Sequence, residues 1–210
     1  MLYLVGSRAL KHYGVDLGRE PGDYDVYSDK GWKYEHKYSI PSNKFVFLQN
    51  TEKGQIVKIN DGSSIAIFDI FDKNLWDTDK LFFSIHGETK DFTLAPTDWS
   101  FEFIVAPPEI LYIMYRTTAE VYKDEKSIKD FEAVKKAWPN QMYRHELYMQ
   151  RLAETQKHFD KTKKVFFEQH GLKQFIDHDK LHEIVTDAWC HGRKPQYLSI
   201  LDSKDSTKID

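Results

Sequence analysis

LYLVGSRALKHYGVDLGREPGDYDVYS, residues 2–28, decides how this chain is read. Leu2 to Val5 form a short apolar run of strand type, Gly6-Ser7 interrupts it, Arg8 to Tyr13 fit a short helix, and Tyr24 to Val26 resume an extended pattern. Gly6 lets the backbone turn without a Cβ and approach a ligand closely. Backbone N–H groups at the start of the following helix favour an anionic phosphate. Asp23 and Asp25 alternate about Tyr24, so on a strand both carboxylates leave the same face, roughly 6–7 Å apart along the backbone. Two hard oxygen ligands at that spacing suit divalent cations that carry a nucleotide triphosphate. Between the turn and the carboxylates, Gly14, Gly18, Pro21 and Gly22 punctuate a loop able to close over a ligand. Arg8, Lys11 and Arg19 are flexible cations within reach of phosphate, and equally ordinary surface charge.

Outward from this stretch, the first half reads as further strands. Lys44 to Gln49 and Gln55 to Asn60 are strand candidates, and Asp61-Gly62 supplies a hairpin turn into Ser63 to Phe71, the most apolar strand of this half. The spacing suits a small mixed sheet. Asp69 interrupts the apolar run with a charge that is expensive to bury unless it is paired or bound to metal. A second alternating pair, Asp77 and Asp79 in FDKNLWDTDK, follows no Gly-Ser turn and reads as helix-cap or loop chemistry. Leu81 to Ile85 fits either a strand or a short helix. Trp99 to Val105 is apolar-rich, and Pro107-Pro108 marks a helix entry.

Gly6-Ser7, the Asp23-Tyr24-Asp25-Val26 run and the later Asp69 together resemble the signature of the nucleotidyltransferase superfamily related to DNA polymerase beta. That signature is a hydrophobic strand ending in Gly-Ser, a short helix, Asp-x-Asp, and a third carboxylate on a later strand. Fifteen residues separate Ser7 from Asp23, slightly more than usual in the family. The whole chain is also similar to nucleotidyltransferases inferred in tailed bacteriophages, partly through HGLKQFIDHDKLHEIV at His170 to Val185. The resemblance, which covers roughly residues 1–135, implies an α+β fold with a nucleotidyltransferase-like mixed-sheet core over residues 1–106; helical periodicity extends the chain as a helical region over 107–198, and a Ser-, Lys- and Asp-rich composition marks a flexible tail over 199–210. It implies transfer of a nucleoside monophosphate from an NTP to a hydroxyl acceptor, with Mg2+ or Mn2+ held by Asp23, Asp25 and Asp69. Gly6, Ser7, Arg8 and Lys129 are then the nucleotide-binding candidates. RNA, protein and small-molecule acceptors all fit the same donor chemistry.

Composition is that of an ordinary soluble globular protein and excludes several other classes. The chain has 210 residues, 40% hydrophobic, 15% aromatic and 30% charged, enough to bury a core. No apolar run approaches membrane-span length, and Met1 leads directly into a strand, so the expected setting is cytoplasmic, that of the host if phage-encoded. A single cysteine, Cys190, rules out an intrachain disulfide framework. A net charge of −3 brings no global attraction to nucleic acid.

From Glu109 the apolar period lengthens to that of helices. Leu111, Tyr115, Thr118 and Tyr122 form one stripe, and Phe131, Val134 and Trp138 form another that Pro139 ends. The KSIKDFEAV segment, with Lys126, Lys129 and Asp130, is similar to a Lys-Asp helix of the family near the triphosphate; Arg116 and Lys129 are the cations singled out there. His145 to Phe167 is a third helix with Tyr148, Leu152, Thr155 and Phe159 on its apolar face; Lys157, Lys161, Lys163 and Lys164 crowd one short interval, read as a solvated helix surface in preference to a contact with an RNA or DNA backbone. Two readings compete with nucleotidyl transfer. His145, His178 and Asp179 mimic part of a metal-dependent phosphohydrolase pattern, with Asp179 equally suited to a helix first turn. The chain could instead be an inactive nucleotide-binding or interaction module of the same shape.

Overall fold

The computed structural model describes residues 2–28, 45–51, 54–60, 65–72, 76–85, 87, 89–93 and 100–170. His178 and Asp179, the phage-like segment beyond His170 and the tail over 199–210 lie outside the described residues. So does the Asp61-Gly62 turn.

The described chain is an α+β structure in which a seven-stranded mixed sheet is followed by long helices. Strand β1 is Leu2–Leu4, helix α1 is Gly6–His12 and strand β2 is Tyr24–Ser28. Strands β3 (Phe45–Thr51), β4 (Gly54–Asn60) and β5 (Ile65–Asp72) form an antiparallel run. Helix α2 (Asp77–Ser84) then leads to β6 (Thr89–Thr93) and β7 (Ser100–Val105). Three helices complete it: α3 (Pro108–Tyr122), α4 (Glu125–Ala137) and α5 (His145–His170). No helix among the described residues is long and apolar enough to cross a membrane.

The sheet order is β3-β4-β5-β2-β1-β7-β6, which places β2 and β5 side by side at its centre. They run parallel, with Asp25 opposite Asp69 and Tyr27 opposite Phe71. The two-residue period of a strand explains the rest. Tyr24 and Val26 on β2, like Phe68 and Ile70 on β5, turn into the core, so Asp25, Tyr27, Asp69 and Phe71 share the other face. Tyr24 stacks on Phe68 and Phe103 with ring centroids 5.0 and 6.0 Å apart. Aromatic packing of this kind, with Leu4, Leu10, Ile110 and Leu111 buried around it, fixes the central strands.

Local signals account for most helix ends. Pro107 and Pro108 open α3, where a missing N–H is harmless. Asp124 caps α4 by accepting a hydrogen bond from the Ser127 N–H at 3.0 Å. The Tyr148, Thr155 and Phe159 face of α5 is buried. The segment at Leu81 resolves as helix because Asp77, Thr78 and Asp79 form a helical first turn whose Asp77 and Thr78 N–H groups donate to the Glu154 carboxylate of α5. This cap comes from a residue far along the chain.

Candidate active site

A cleft of about 420 Å³ opens between the β2/β5 face and the helices. Its floor follows the strand register: an acidic rung of Asp25 and Asp69, then an aromatic rung of Tyr27 and Phe71. Tyr115, Thr118 and Tyr122 of α3 line it, together with Lys126 and Asp130 of α4 and Arg151, Thr155 and His158 of α5. The α3 stripe expected from the sequence therefore serves two surroundings, Leu111 in the core and the other three at the cleft.

Asp23, Asp25 and Asp69 converge there, with carboxylate oxygens within 4.8 Å of one another. Among the described residues no other group of histidine, cysteine or acidic side chains gathers this way. Asp23 stands at the end of the loop and Asp25 on β2, while Asp69 arrives through the parallel pairing of β5. Burial pushes the Asp25 carboxyl up to about 8, and the like charges of Asp23 and Asp69 add to the rise. Lys126 and Arg19 act in the opposite direction. The Tyr115 hydroxyl is also raised, first by burial and then by Asp25 and Asp130, which puts a neutral phenol beside the acidic group. Hard oxygens gathered with too little neighbouring positive charge are what a divalent cation would satisfy.

Raising the Asp25 carboxyl couples metal-free stability to pH. Below the ordinary range, about pH 4, Asp25 is protonated folded and unfolded alike and imposes no charge penalty. Between there and about 8 the folded state holds a proton that the unfolded state has released, so stability falls as pH rises. Asp25→Asn is expected to remove most of this fall and to raise the melting temperature of the metal-free protein at pH 8. Parallel wild-type and mutant melts across pH 4–8 in chelator check this, and parallel curves would refute it.

Gly6 sits at φ +67, and a Cβ built on it would collide with the Asp25 side chain, Oδ2 first. The glycine thus does two jobs: it takes the left-handed turn and makes room for the carboxylate. Gly6→Ala is expected to cost about 1–3 kcal/mol of stability and to displace Asp25, weakening Mn2+ binding as well. Thermal melts with a Mn2+ titration test it; an unchanged Mn2+ affinity would show that Asp25 does not need this space.

The sequence-derived cations divide sharply. Arg8 is absent from the cleft lining: its guanidinium lies 4.2 Å from the Tyr24 ring centroid, and its Nε donates to the Asp23 carbonyl at 3.3 Å. Tyr24 turns away from the carboxylates, and Arg8 goes with it. Lys129 is exposed and pairs with Glu125 one turn away, outside the cleft lining. Arg116 pairs with Glu120 and packs on Tyr143 and Tyr148. Lys126 and Arg19 line the cleft instead. Gly6 and Ser7 also line it, and Ser7 and Arg19 border a second hollow of about 190 Å³ beside Lys11 and Glu20. His145 is exposed and belongs to no metal-ligand group among the described residues.

Sequence reading missed the other end of the cleft. Asp79 is 1% exposed and accepts a hydrogen bond from Arg151 Nη1 at 2.6 Å, and Arg151 lies over the Trp76 ring at 3.9 Å. The Asp77-x-Asp79 pattern is half a helix start and half a buried ion pair.

No protein-family model matches the chain, and no curated protein matches it. In overall shape it is similar to the crystal structure of an antigenic nucleotidyltransferase-like protein from Paracoccidioides brasiliensis, at 14% identity and a TM-score of 0.47, over 76% of this chain and 81% of that one.

Proposed function

We propose that this protein is a metal-dependent nucleotidyltransferase, moving a nucleoside monophosphate from an NTP to a hydroxyl acceptor and releasing pyrophosphate. The observation that carries this reading is the convergence of Asp23, Asp25 and Asp69 beside the Gly6-Ser7 turn in one cleft. Bound Mg2+ or Mn2+ would supply Lewis-acid polarisation of the α-phosphate and make the acceptor hydroxyl more acidic. Asp23 and Asp25 are suited to hold the cation that accompanies the triphosphate, and Asp69 to the side on which the acceptor oxygen arrives. In the transfer the acceptor hydroxyl gives up its proton to water, its oxygen forms a bond to the α-phosphorus, the bond from that phosphorus to the bridging oxygen breaks, and pyrophosphate leaves with the electron pair. Gly6 and Ser7 offer backbone and hydroxyl donors to the β- and γ-phosphates. Lys126 and Arg19 are the cations we assign to the charge that gathers there, in preference to Arg8 and Lys129, because they line the cleft.

The test is a scan of the four α-phosphate-labelled NTPs with Mg2+ or Mn2+, adding cell extract from a bacterial host as a mixed source of RNA, protein and small-molecule acceptors. Label on an acceptor that depends on the carboxylates supports the reading and identifies the acceptor class. Mg-NTP binding without transfer would favour an inactive nucleotide-binding module. A folded protein that binds no Mg-NTP or Mn-NTP would refute the proposal.

A further inference from the structure

A long-range ion pair links the loop over residues 13–23 to the cleft side of α4. Arg19 Nη2 donates to Asp130 Oδ2 at 2.6 Å across 111 positions of sequence. The Asp130 side chain is 10% exposed and that of Arg19 38%, and both residues line the cleft that holds the three carboxylates. Other polar side-chain contacts of the loop are local, Asp16 Oδ1 accepting from the Gly18 N–H at 2.7 Å and Lys11 pairing with Glu20, while Tyr13 meets Trp138 edge-on with ring centroids 6.1 Å apart and Val15 is buried in the core. Without a competing anion, Coulomb attraction would draw a mobile guanidinium in this cleft onto Asp23, Asp25 and Asp69. There it would occupy the oxygens a cation needs. Asp130 instead offers a single carboxylate, engaging one edge of the guanidinium and leaving further N–H donors for a ligand.

We infer that Asp130 is a positioning residue that holds Arg19 off the carboxylate trio and presents it to the β- and γ-phosphates of an incoming nucleotide. The phosphate half of this inference rests on the nucleotidyltransferase reading, whereas the half concerning the carboxylates does not. Asp130 thereby makes a loop cation compatible with a metal site a short distance away. It also explains why so buried an acid sits on the cleft side of α4: its partner is supplied by the loop rather than by its own helix.

Mn2+ binding, read by electron paramagnetic resonance without nucleotide, tests the first half. Asp130→Asn should weaken Mn2+ about tenfold as Arg19 collapses onto the trio. In an Arg19→Ala background the same Asp130→Asn change should have little further effect, and the double variant should bind Mn2+ better than Asp130→Asn alone. Asp130→Glu, which keeps the charge, should stay near wild type and serves if the Asn variant does not fold. Equal Mn2+ affinity in Asp130→Asn and wild type would overturn the inference, as would a double variant as weak as Asp130→Asn alone. Wild type that binds no Mn2+ would overturn the carboxylate reading along with it. For the second half, Arg19→Ala should lose about tenfold in affinity for a non-hydrolysable Mg-NTP analogue but little for the NMP. If wild type binds the analogue and Arg19→Ala binds it equally well, the phosphate role is wrong. Failure of wild type to bind any NTP would instead remove the nucleotide reading and leave the Mn2+ result standing.

Discussion

Replacing Asp23 and Asp25 together by Asn is expected to abolish labelled NMP transfer, by at least about 1,000-fold, or ~4 kcal/mol of transition-state stabilisation. The substitutions keep side-chain volume and strand propensity nearly constant. They remove two of the three anionic oxygen donors that approach within 4.8 Å of one another. The double variant should fold, and at neutral pH it should be no less stable without metal, because Asp25 is the carboxyl that burial and its acidic neighbours oppose in ionised form. This combination of lost transfer and retained or raised melting temperature separates a chemical role from a structural one. Transfer that survives in the folded double variant would place the chemistry elsewhere. Asp69→Asn provides the companion measurement, since Asp69 reaches the group only through its register with Asp25.

Arg151→Met is expected to be the most destabilising single change at the cleft, at roughly 3–5 kcal/mol, or a melting temperature lowered by on the order of 10 °C for a chain this long. Arg151 is 7% exposed, and its Nη1 donates to both Asp79 Oδ1 and Thr78 Oγ1. Removing it leaves the buried Asp79 carboxylate without its counter-charge, and burial already raises the Asp79 pKa despite the guanidinium. The pH dependence has a definite sign. With Arg151 gone the Asp79 pKa rises further, so the loss should be largest at neutral and alkaline pH and should shrink as pH falls below about 4, where Asp79 becomes protonated in folded and unfolded protein alike. Asp79→Leu combined with Arg151→Met should recover much of the loss, because an apolar pair of similar volume needs no counter-charge. A uniform loss across pH, unrelieved in the double variant, would mean that Arg151 contributes packing over Trp76 and Phe82 rather than charge.

How much of this was legible in the chain depends on the range of the interaction. Strand, turn and helix over residues 2–28 were readable because each is set within a few residues, by apolar run, glycine and period. That Asp25 leaves the opposite face from Tyr24 follows from strand alternation alone. The helical stripes on α3, α4 and α5 were equally plain. Asp69 stood out as a charge in an apolar strand.

Which residues meet was decided by the tertiary structure. Asp69 faces Asp25 because β5 pairs parallel to β2 in one particular register, and a shift of one residue would have sent it into the core. Lys126 and Lys129 are three positions apart on α4, about 60° around the helix axis, enough to send the first to the cleft and the second to Glu125. Arg8 and Arg19 border the same loop, yet Tyr24 captures one and Asp130 the other. Asp79 read as a helix-start acid and became half of a buried pair because Arg151, 72 residues away, packs against it. Local steric preferences and apolar periodicity act between neighbours in the chain and so were set by the sequence itself. The partner of a charge is set by which surfaces the buried core forces together, and that choice belongs to the fold.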